Sequence, residues 1–319
     1  MARPSKTNVG VIGLGIIGSR VAANLRAKGF QTWVWNRTPR PEPNFLPSPL
    51  EVAESAKIIQ IFVSDGPALL ETITTMSKSL GPGHVILNHA TVSPSETKEA
   101  ARLVEERHAK FLDAPFTGSR DAAAAGQIVF LVGGDPDTLA LAKPILEANA
   151  KAILPVGGIG DATVLKIATN LIAAVTVTAL SEAMALLSNN GVALQNLLEV
   201  LPHHGIRSQL AETKIPSMIL DDFEPRFALK HMFKDVQIAL SMAADAGIEL
   251  PAAGSFAGAA MAGIQQGLAD RDFSSIARLY SYPDHETSLD EKFRPPTPQS
   301  SDSAPEKPQP KRWKVFGSR

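Results

Sequence analysis

Two spacings in this chain could do chemistry. One is Lys166 with Asn170, four residues on and therefore one turn away on the same face of a helix. A lysine near the start of an apolar helix is expensive to bury. Either it has partners and a purpose there, or its ammonium snorkels out to solvent. The other is Gly13-x-Gly15-x-x-Gly18, which follows the apolar strand Asn8 to Ile12 directly. A helix then ends near Gly29, and a second strand runs from Gln31 to Trp35. In that setting Gly13 makes the tight turn, Gly15 lets a pyrophosphate approach the backbone and Gly18 lets helix and strand pack closely. The helix N-terminus offers its N–H groups to the phosphates. Gly13, Leu14, Gly15, Ile16, Ile17 and Gly18 thus read as a dinucleotide cradle, the alternative being a coincidental glycine-rich turn.

The end of the second strand bears on which dinucleotide. It reads Asn36-Arg37-Thr38, with no carboxylate to take ribose hydroxyls or to repel a 2′-phosphate. A guanidinium and a hydroxyl can hold such a phosphate, so the sequence favours NADPH over NADH, unless Arg37 is simply solvated. Five prolines between Pro39 and Pro49 forbid a regular helix in the next segment, and a short helix is expected from Glu51 to Ala56. Lys57 to Val63 is a continuous apolar run, the signature of a buried parallel strand. Val63 and Ser64 close it, where the cofactor crevice of an open sheet lies.

Further strands are expected at His84 to Asn88, Lys110 to Asp113, Gln127 to Val132 and Ile153 to Val156. Thr91 follows the first of these, and Ser93 reads as the start of a helix from Pro94 to Arg107. Phe116-Thr117-Gly118-Ser119 is a turn of small polar residues after a strand. Its hydroxyls and N–H groups could hold a carboxylate, or it could be an ordinary loop.

The element that must position Lys166 is the stretch from Asp161, a plausible N-cap, to Asn189. It has no Pro and no Gly, so about 28 residues could span roughly 42 Å. Val164, Leu165, Ile167, Leu171, Ile172, Val175, Leu180, Met184 and Leu187 place apolar groups nearly all round it, the pattern of a buried helix. Its charge-free part, Ile167 to Ser181, is too short for a membrane span and is interrupted by Thr169, Asn170 and Thr176. Helices are expected afterwards at Val192 to Leu201, Ile206 to Ile219 (broken near Pro216), Phe227 to Ala246, Ala252 to Leu268 and Phe273 to Tyr282. The fourth of these is rich in small residues, for close packing or an oligomer contact. Lys230 and Lys234 share a helix face, with His231 and Asp235 beside them.

Composition excludes several classes. There is no cysteine, hence no disulfide, zinc–thiolate site or cysteine nucleophile. His203-His204 lack metal-ligand spacing, so no metal is expected. The net charge of −1 gives no pull toward nucleic acid. No secretory segment precedes the first strand, which makes the cytoplasm the expected location. From about Pro283 the chain turns rich in Pro, Ser and Lys and is expected to be a disordered tail, ending in the basic Lys311-Arg312-Trp313-Lys314.

With these pieces placed, the chain resembles the β-hydroxyacid dehydrogenase family from about Val9 to Ala277. The motifs are GLGIIG with NRT, HATVSP, DAPFTGS with AGQIVFLVGG, GGIGDATVLKIATN and FALKHMFKD. FALKHMFKD, the Gly118-Ser119 pair and LADRDFSS look most like the glyoxylate/succinic semialdehyde reductase branch. The resemblance implies an α/β Rossmann-type N-terminal domain (1–160) and an all-α C-terminal domain (161–282) joined by a long interdomain helix, followed by the tail (283–319). It implies Lys166 and Asn170 as the catalytic pair, with the lysine as general acid. Thr117, Gly118 and Ser119 would bind the substrate carboxylate, Lys234 would close over cofactor and substrate, and Thr91 would lie near the nicotinamide. It further implies a small aldehyde or keto acid as substrate and a homodimer or homotetramer. Departures from the family pattern are Asn88, Ala90, Ala162 in place of a frequent glycine, and the proline-rich stretch after Arg37. An NAD-dependent 3-hydroxyisobutyrate-type dehydrogenase and a non-catalytic NADP-binding scaffold are the alternatives. Lys166 argues against an imine reductase.

Overall fold

The structure is a computed structural model in which residues 7–280 and 289–294 are described. The first half alternates strand and helix: β1 (Asn8–Ile12), α1 (Gly18–Ala27), β2 (Gln31–Trp35), α2 (Pro49–Ser55), β3 (Ile58–Ile61), α3 (Gly66–Met76), β4 (Val85–Asn88), α4 (Pro94–Glu105) and β5 (Lys110–Asp113). These five strands are parallel in the order β2-β1-β3-β4-β5. β6 (Phe116–Thr117), α5 (Arg120–Ala124), β7 (Ile128–Gly133), α6 (Pro136–Leu146) and β8 (Ala150–Gly157) complete the half. β7 runs antiparallel to β5 and β6, and β8 pairs parallel with β7 at the sheet's edge.

Period-two alternation along the strands feeds two apolar layers. Val9, Val11, Val85 and Leu87 pack on Val21 and Leu25 of α1 and on Ile145 of α6. Ile59, Ile61 and Ile86 face Val52 of α2, Ile73 and Met76 of α3 and Val104 of α4. Covered on both faces, the sheet is of Rossmann type, as the sequence implied. In the proline-rich stretch Val34 bridges Phe45, and Ser48 then caps α2, with Pro49 as its first residue. Proline suits that position because its missing N–H would be unpaired there anyway.

The second half is helical: α7 (Asp161–Asn189), α8 (Gln195–Val200), α9 (Gln209–Ile219), α10 (Leu229–Ala246) and α11 (Pro251–Gln265). Four details differ from expectation. The N-cap of α7 is Gly160 in a left-handed conformation (φ +98°), and Asp161 is the first helical residue, its carboxylate accepting from the Gly158 N–H. Pro216 lies inside α9, which continues to Ile219, because a proline near a helix end removes one hydrogen bond without stopping the last turn. Phe273–Leu279 is a 3₁₀ helix. Finally, α7 is not buried all round. α10, α11 and the 3₁₀ segment cover the side bearing Ala174 and Val177 and leave Val164, Leu165, Ile172 and Leu186 exposed. By length and mean hydropathy (1.8) α7 could cross a membrane.

Most of the expected tail, with its basic end, lies outside the described residues. The exception is 289–294, which is not free chain: Leu289 is buried beside Leu198 and Ile215, and Lys292 pairs with Glu199 at 2.5 Å. Burying one leucine contributes about 1.5–3 kcal/mol toward holding a short segment that composition alone marks as unstructured.

Candidate active site at the domain junction

All five parallel strands deliver their carboxyl ends to one edge of the sheet. That places the turns after β1, β2, β3, β4 and β5 together. A cleft of about 290 Å³ opens there between β1 and β3, where the order of the strands reverses, the position at which open sheets bind ligands. Gly13, Gly15, Asn36, Arg37, Thr38, Val63 and Ser64 line it.

The glycine turn fits a dinucleotide pyrophosphate. A Cβ on Gly13, whose φ is +91°, would lie 2.0 Å from the Phe62 carbonyl, and one on Gly18 would lie 1.9 Å from the Gly13 carbonyl. A Cβ on Gly15 would meet nothing within 4 Å. The first two glycines are therefore demanded by the fold, and the open space lies over the third. Helix α1 begins with no side-chain cap, so no side chain competes with an anion for its N-terminus, although the Ser19 N–H already donates to the Gly15 carbonyl.

Not every residue of the cradle faces the ligand. Leu14 is fully buried and its N–H donates to Asn36 Oδ1 at 2.9 Å. The Asn36 amide donates in turn to the Thr38 carbonyl at 2.8 Å. Leu14 and Asn36 thus brace the turn rather than present free groups. Ile16 is exposed and Gly18 buried. Arg37 and Thr38 are exposed at the cleft. Across it the sequence reading missed one carboxylate, Glu71 on α3; Asp65, next to Ser64, lies outside the lining. Asp65 is held below its ordinary value by the Ser64 hydroxyl, and its cap of α3 and the charges of Lys234 and Arg37 act the same way against partial burial.

Behind the cleft His89 is wholly buried and stacks on Phe62 at 4.5 Å. Burial pulls its pKa down to about 4, so it is neutral at pH 7. Its Nδ1 lies 2.5 Å from the Ala114 carbonyl and its Nε2 3.0 Å from the Gln60 side chain, tying the ends of β3, β4 and β5 together.

Lys166 and Asn170 are joined as their spacing implied. Lys166 Nζ donates to Asn170 Oδ1 at 2.9 Å. The asparagine Nδ2 donates to Asp235 Oδ2, on α10, at 2.6 Å. Asp235 is 1% exposed, and its other oxygen lies 2.8 Å from the Lys234 ammonium, an ion-pair contact off the line of a hydrogen bond. Lys234 also donates to the carbonyl of Thr91, beyond β4 in the sheet domain. The chain Lys166–Asn170–Asp235–Lys234–Thr91 therefore crosses from the helical half to the sheet half. Burial pulls the Lys166 ammonium down from 10.5 to about 8; Asp235 opposes this and Lys234 adds to it. The lysine neither snorkels freely nor forms a plain salt bridge.

What fixes Lys166 along its helix is Asp113, at the end of β5. Its buried carboxylate accepts from Gly160 N–H (3.0 Å), Thr163 N–H (2.9 Å) and the Thr163 hydroxyl (2.8 Å). It caps α7 from a distance and pins the helix to the sheet. Burial pushes its pKa up, against the pull of those three donors.

The Thr117–Ser119 turn lies on the same edge of the sheet, and Gly118 adopts φ +151°. Thr117 and Gly118 are exposed. The Ser119 hydroxyl accepts from the Ala122 N–H and caps α5, so it acts first as a structural group. Among the described residues no hydrogen bond or ion pair joins this turn to Lys166. Ser93 caps α4 in a reciprocal pair with Glu96.

Two family models match in succession: residues 8–158 match the NAD-binding domain of 6-phosphogluconate dehydrogenase, and residues 160–280 the NAD-binding of NADP-dependent 3-hydroxyisobutyrate dehydrogenase. Among curated proteins, glyoxylate/succinic semialdehyde reductase 1 of Arabidopsis thaliana is 27% identical, over 86% of this chain and 98% of that protein. The 2-hydroxy-3-oxopropionate reductase of Escherichia coli K12 is 32% identical, over 76% of this chain and 86% of that protein. Among solved structures, the 3-hydroxyisobutyrate dehydrogenase of Mycobacterium tuberculosis with L-serine superposes with a TM-score of 0.78 at 27% identity, covering 86% of this chain and 99% of that one.

Proposed function

The chain belongs to the β-hydroxyacid dehydrogenase family, NAD(P)-dependent oxidoreductases acting on hydroxyl groups, and on that premise we propose that it reduces a small aldehyde or keto acid, such as glyoxylate or succinic semialdehyde, with NADPH. The observation that carries this reading is the Lys166–Asn170–Asp235 chain. It holds an ammonium with a pKa of about 8 at the junction where the sheet's cofactor edge meets the helical half.

Bound nicotinamide supplies the hydride. Lys166 donates a hydrogen bond to the carbonyl oxygen and passes its proton there as negative charge develops. A pKa near the working pH suits that exchange in both directions. Asn170 accepts from the ammonium and so aims it, and Asp235 fixes the asparagine's orientation. The open positions of Thr117 and Gly118 suit them to hold the substrate carboxylate and set the carbonyl's distance and angle. Lys234, joined to the Thr91 carbonyl, keeps the two halves closed and water out.

Arg37 and Thr38 at the cleft support NADPH, by charge-assisted hydrogen bonds to a 2′-phosphate. Glu71 on the facing wall favours NADH. The test is cofactor oxidation with glyoxylate and with succinic semialdehyde, NADPH against NADH, beside a Lys166→Ala variant shown to bind cofactor. Turnover with NADPH, lost by about 10²–10⁴-fold in the variant, supports the proposal. Full activity in the variant removes Lys166 from the mechanism. Inertness toward both aldehydes with cofactor bound points to another substrate or to a scaffold.

A further inference from the structure

A second polar contact spans the two halves besides that of Lys234 with Thr91. Arg120, the first residue of α5, donates from Nη1 to Glu224 Oε1 at 2.7 Å, across 104 positions of sequence. Its Nε donates to Asp121 Oδ1 at 3.2 Å. The pair joins two anchored segments. On the sheet side α5 follows the Thr117–Ser119 turn directly and Ser119 caps it. Asn24, on the cofactor helix α1, donates to the Ala123 carbonyl at 2.9 Å and so holds α5 in place. On the helical side Glu224 stands in the segment that leads into α10. There the buried Asp272 carboxylate accepts from the N–H groups of Arg226 (3.1 Å) and Phe227 (3.2 Å) and from the Lys214 ammonium (2.6 Å). The Asp272 N–H donates to the Phe223 carbonyl at 3.1 Å. Glu224 therefore has fixed neighbours on both sides, although its own side chain is 57% exposed.

We propose that Arg120 and Glu224 are positioning residues for the reduction proposed above, on which this inference rests: their ion pair sets how far the Thr117–Ser119 turn stands from Lys166. Two rigid halves joined at one point can still turn about it. Asp113, at the end of β5, joins them where α7 begins, and Lys234 joins them at Thr91, beyond β4. Arg120 follows β6, at the end of the strand order, and adds a third attachment. Attachments at the ends of three strands fix one body against the other. The guanidinium already meets two carboxylates, those of Glu224 and Asp121, so in this arrangement it serves the contact between the halves and not a ligand. An ion pair reached by solvent at both ends is weak. That weakness suits a contact that must part whenever substrate enters or product leaves. By favouring the closed arrangement beforehand, the pair raises the fraction of enzyme ready to take substrate and so lowers the apparent dissociation constant. Once bound, the substrate itself bridges the turn and Lys166, and the pair matters less to the chemical step.

The test is a double-mutant cycle on the full-length protein with NADPH and glyoxylate or succinic semialdehyde: Glu224→Gln, Arg120→Gln and the two together. Each single variant should raise KM for the aldehyde about fivefold, the scale of one exposed ion pair, with kcat kept within about twofold. The double variant should be no worse than either single one, because each already breaks the pair. Direct contact of Arg120 with the substrate predicts the opposite sign. Glu224→Gln would then free the guanidinium and lower KM, and the two changes would act independently. A second readout needs no turnover. With NADPH bound, amide hydrogen exchange over residues 118–124 should be about fivefold faster in Glu224→Gln than in wild type, although the altered residue lies in the other half. The melting temperature should stay the same. Inertness toward both aldehydes would count against the proposed reaction, and the exchange measurement would still decide the pair. A KM unchanged or lowered by Glu224→Gln, independent effects in the double variant, or unaltered exchange over 118–124 would each overturn the proposal.

Discussion

Replacing Lys166 with methionine should make the protein more stable and inactive at once. The side chain stays unbranched, ends one heavy atom short of the lysine and loses its charge. Burial holds the ammonium at about 8 instead of 10.5. At about 1.4 kcal/mol per pH unit, keeping it charged at pH 7 costs the folded state about 3 kcal/mol, an upper figure because the residue retains some access to solvent. Loss of the hydrogen bond to Asn170 returns about 1 kcal/mol of that. The expected net gain is about 2 kcal/mol in urea unfolding at pH 7. The sign with pH follows from the direction of the shift. Between about pH 8 and 10.5 the unfolded chain holds the Lys166 proton more tightly than the folded one, so this group makes wild-type stability rise with pH through that window. The variant lacks the group, and every other titration is common to both proteins. Its advantage should therefore be full at pH 7 and shrink toward pH 10, while kcat falls ~10²–10⁴-fold at every pH. A variant less stable than wild type, or a difference flat from pH 7 to 10, would refute the argument that burial rather than pairing governs this lysine.

The same group sets the pH dependence of turnover. Reduction needs the ammonium, so kcat should fall about tenfold per pH unit above about 8 and oxidation should rise toward it, as a stopped-flow profile from pH 6 to 10 would show. Asp113→Ala leaves the N–H groups of Gly160 and Thr163 without their acceptor and should cost about 2–4 kcal/mol by urea unfolding. Gly15→Ala should leave the melting temperature unchanged, because its Cβ meets nothing, yet raise the Kd for NADPH roughly tenfold or more by fluorescence titration. Arg37→Glu should raise KM for NADPH by ~10–100-fold and that for NADH much less; equal changes for both cofactors would show that Arg37 does not read the 2′-phosphate.

The parts of the site legible in the sequence are those whose geometry is local. Gly13 and Gly18 are required by atoms of the turn itself and of the neighbouring strand, and a strand–turn–helix pattern carries that information. Lys166 and Asn170 meet because four residues make one helical turn. The parts that escaped depend on packing between distant elements. Asp235 is 65 residues from the asparagine it orients. Adjacent helix positions point about 100° apart, so a Lys-Asp pair does not say which of the two faces a neighbour. Only the crossing of α7 and α10 decides that the carboxylate turns inward to Asn170 while the lysine reaches the Thr91 carbonyl. Asp113 is concealed in the same way: it ends one strand and caps a helix that begins some fifty residues later. Ser119 and Asn36 show the converse. Their residue types suit ligand binding, but a cap and a turn engage the same atoms first. The open face of α7 follows one rule with the rest. Apolar residues all round a helix lead one to expect burial on every side, and only the packing of distant elements decides that α10 and α11 cover one side and leave Ile172 and Leu186 exposed.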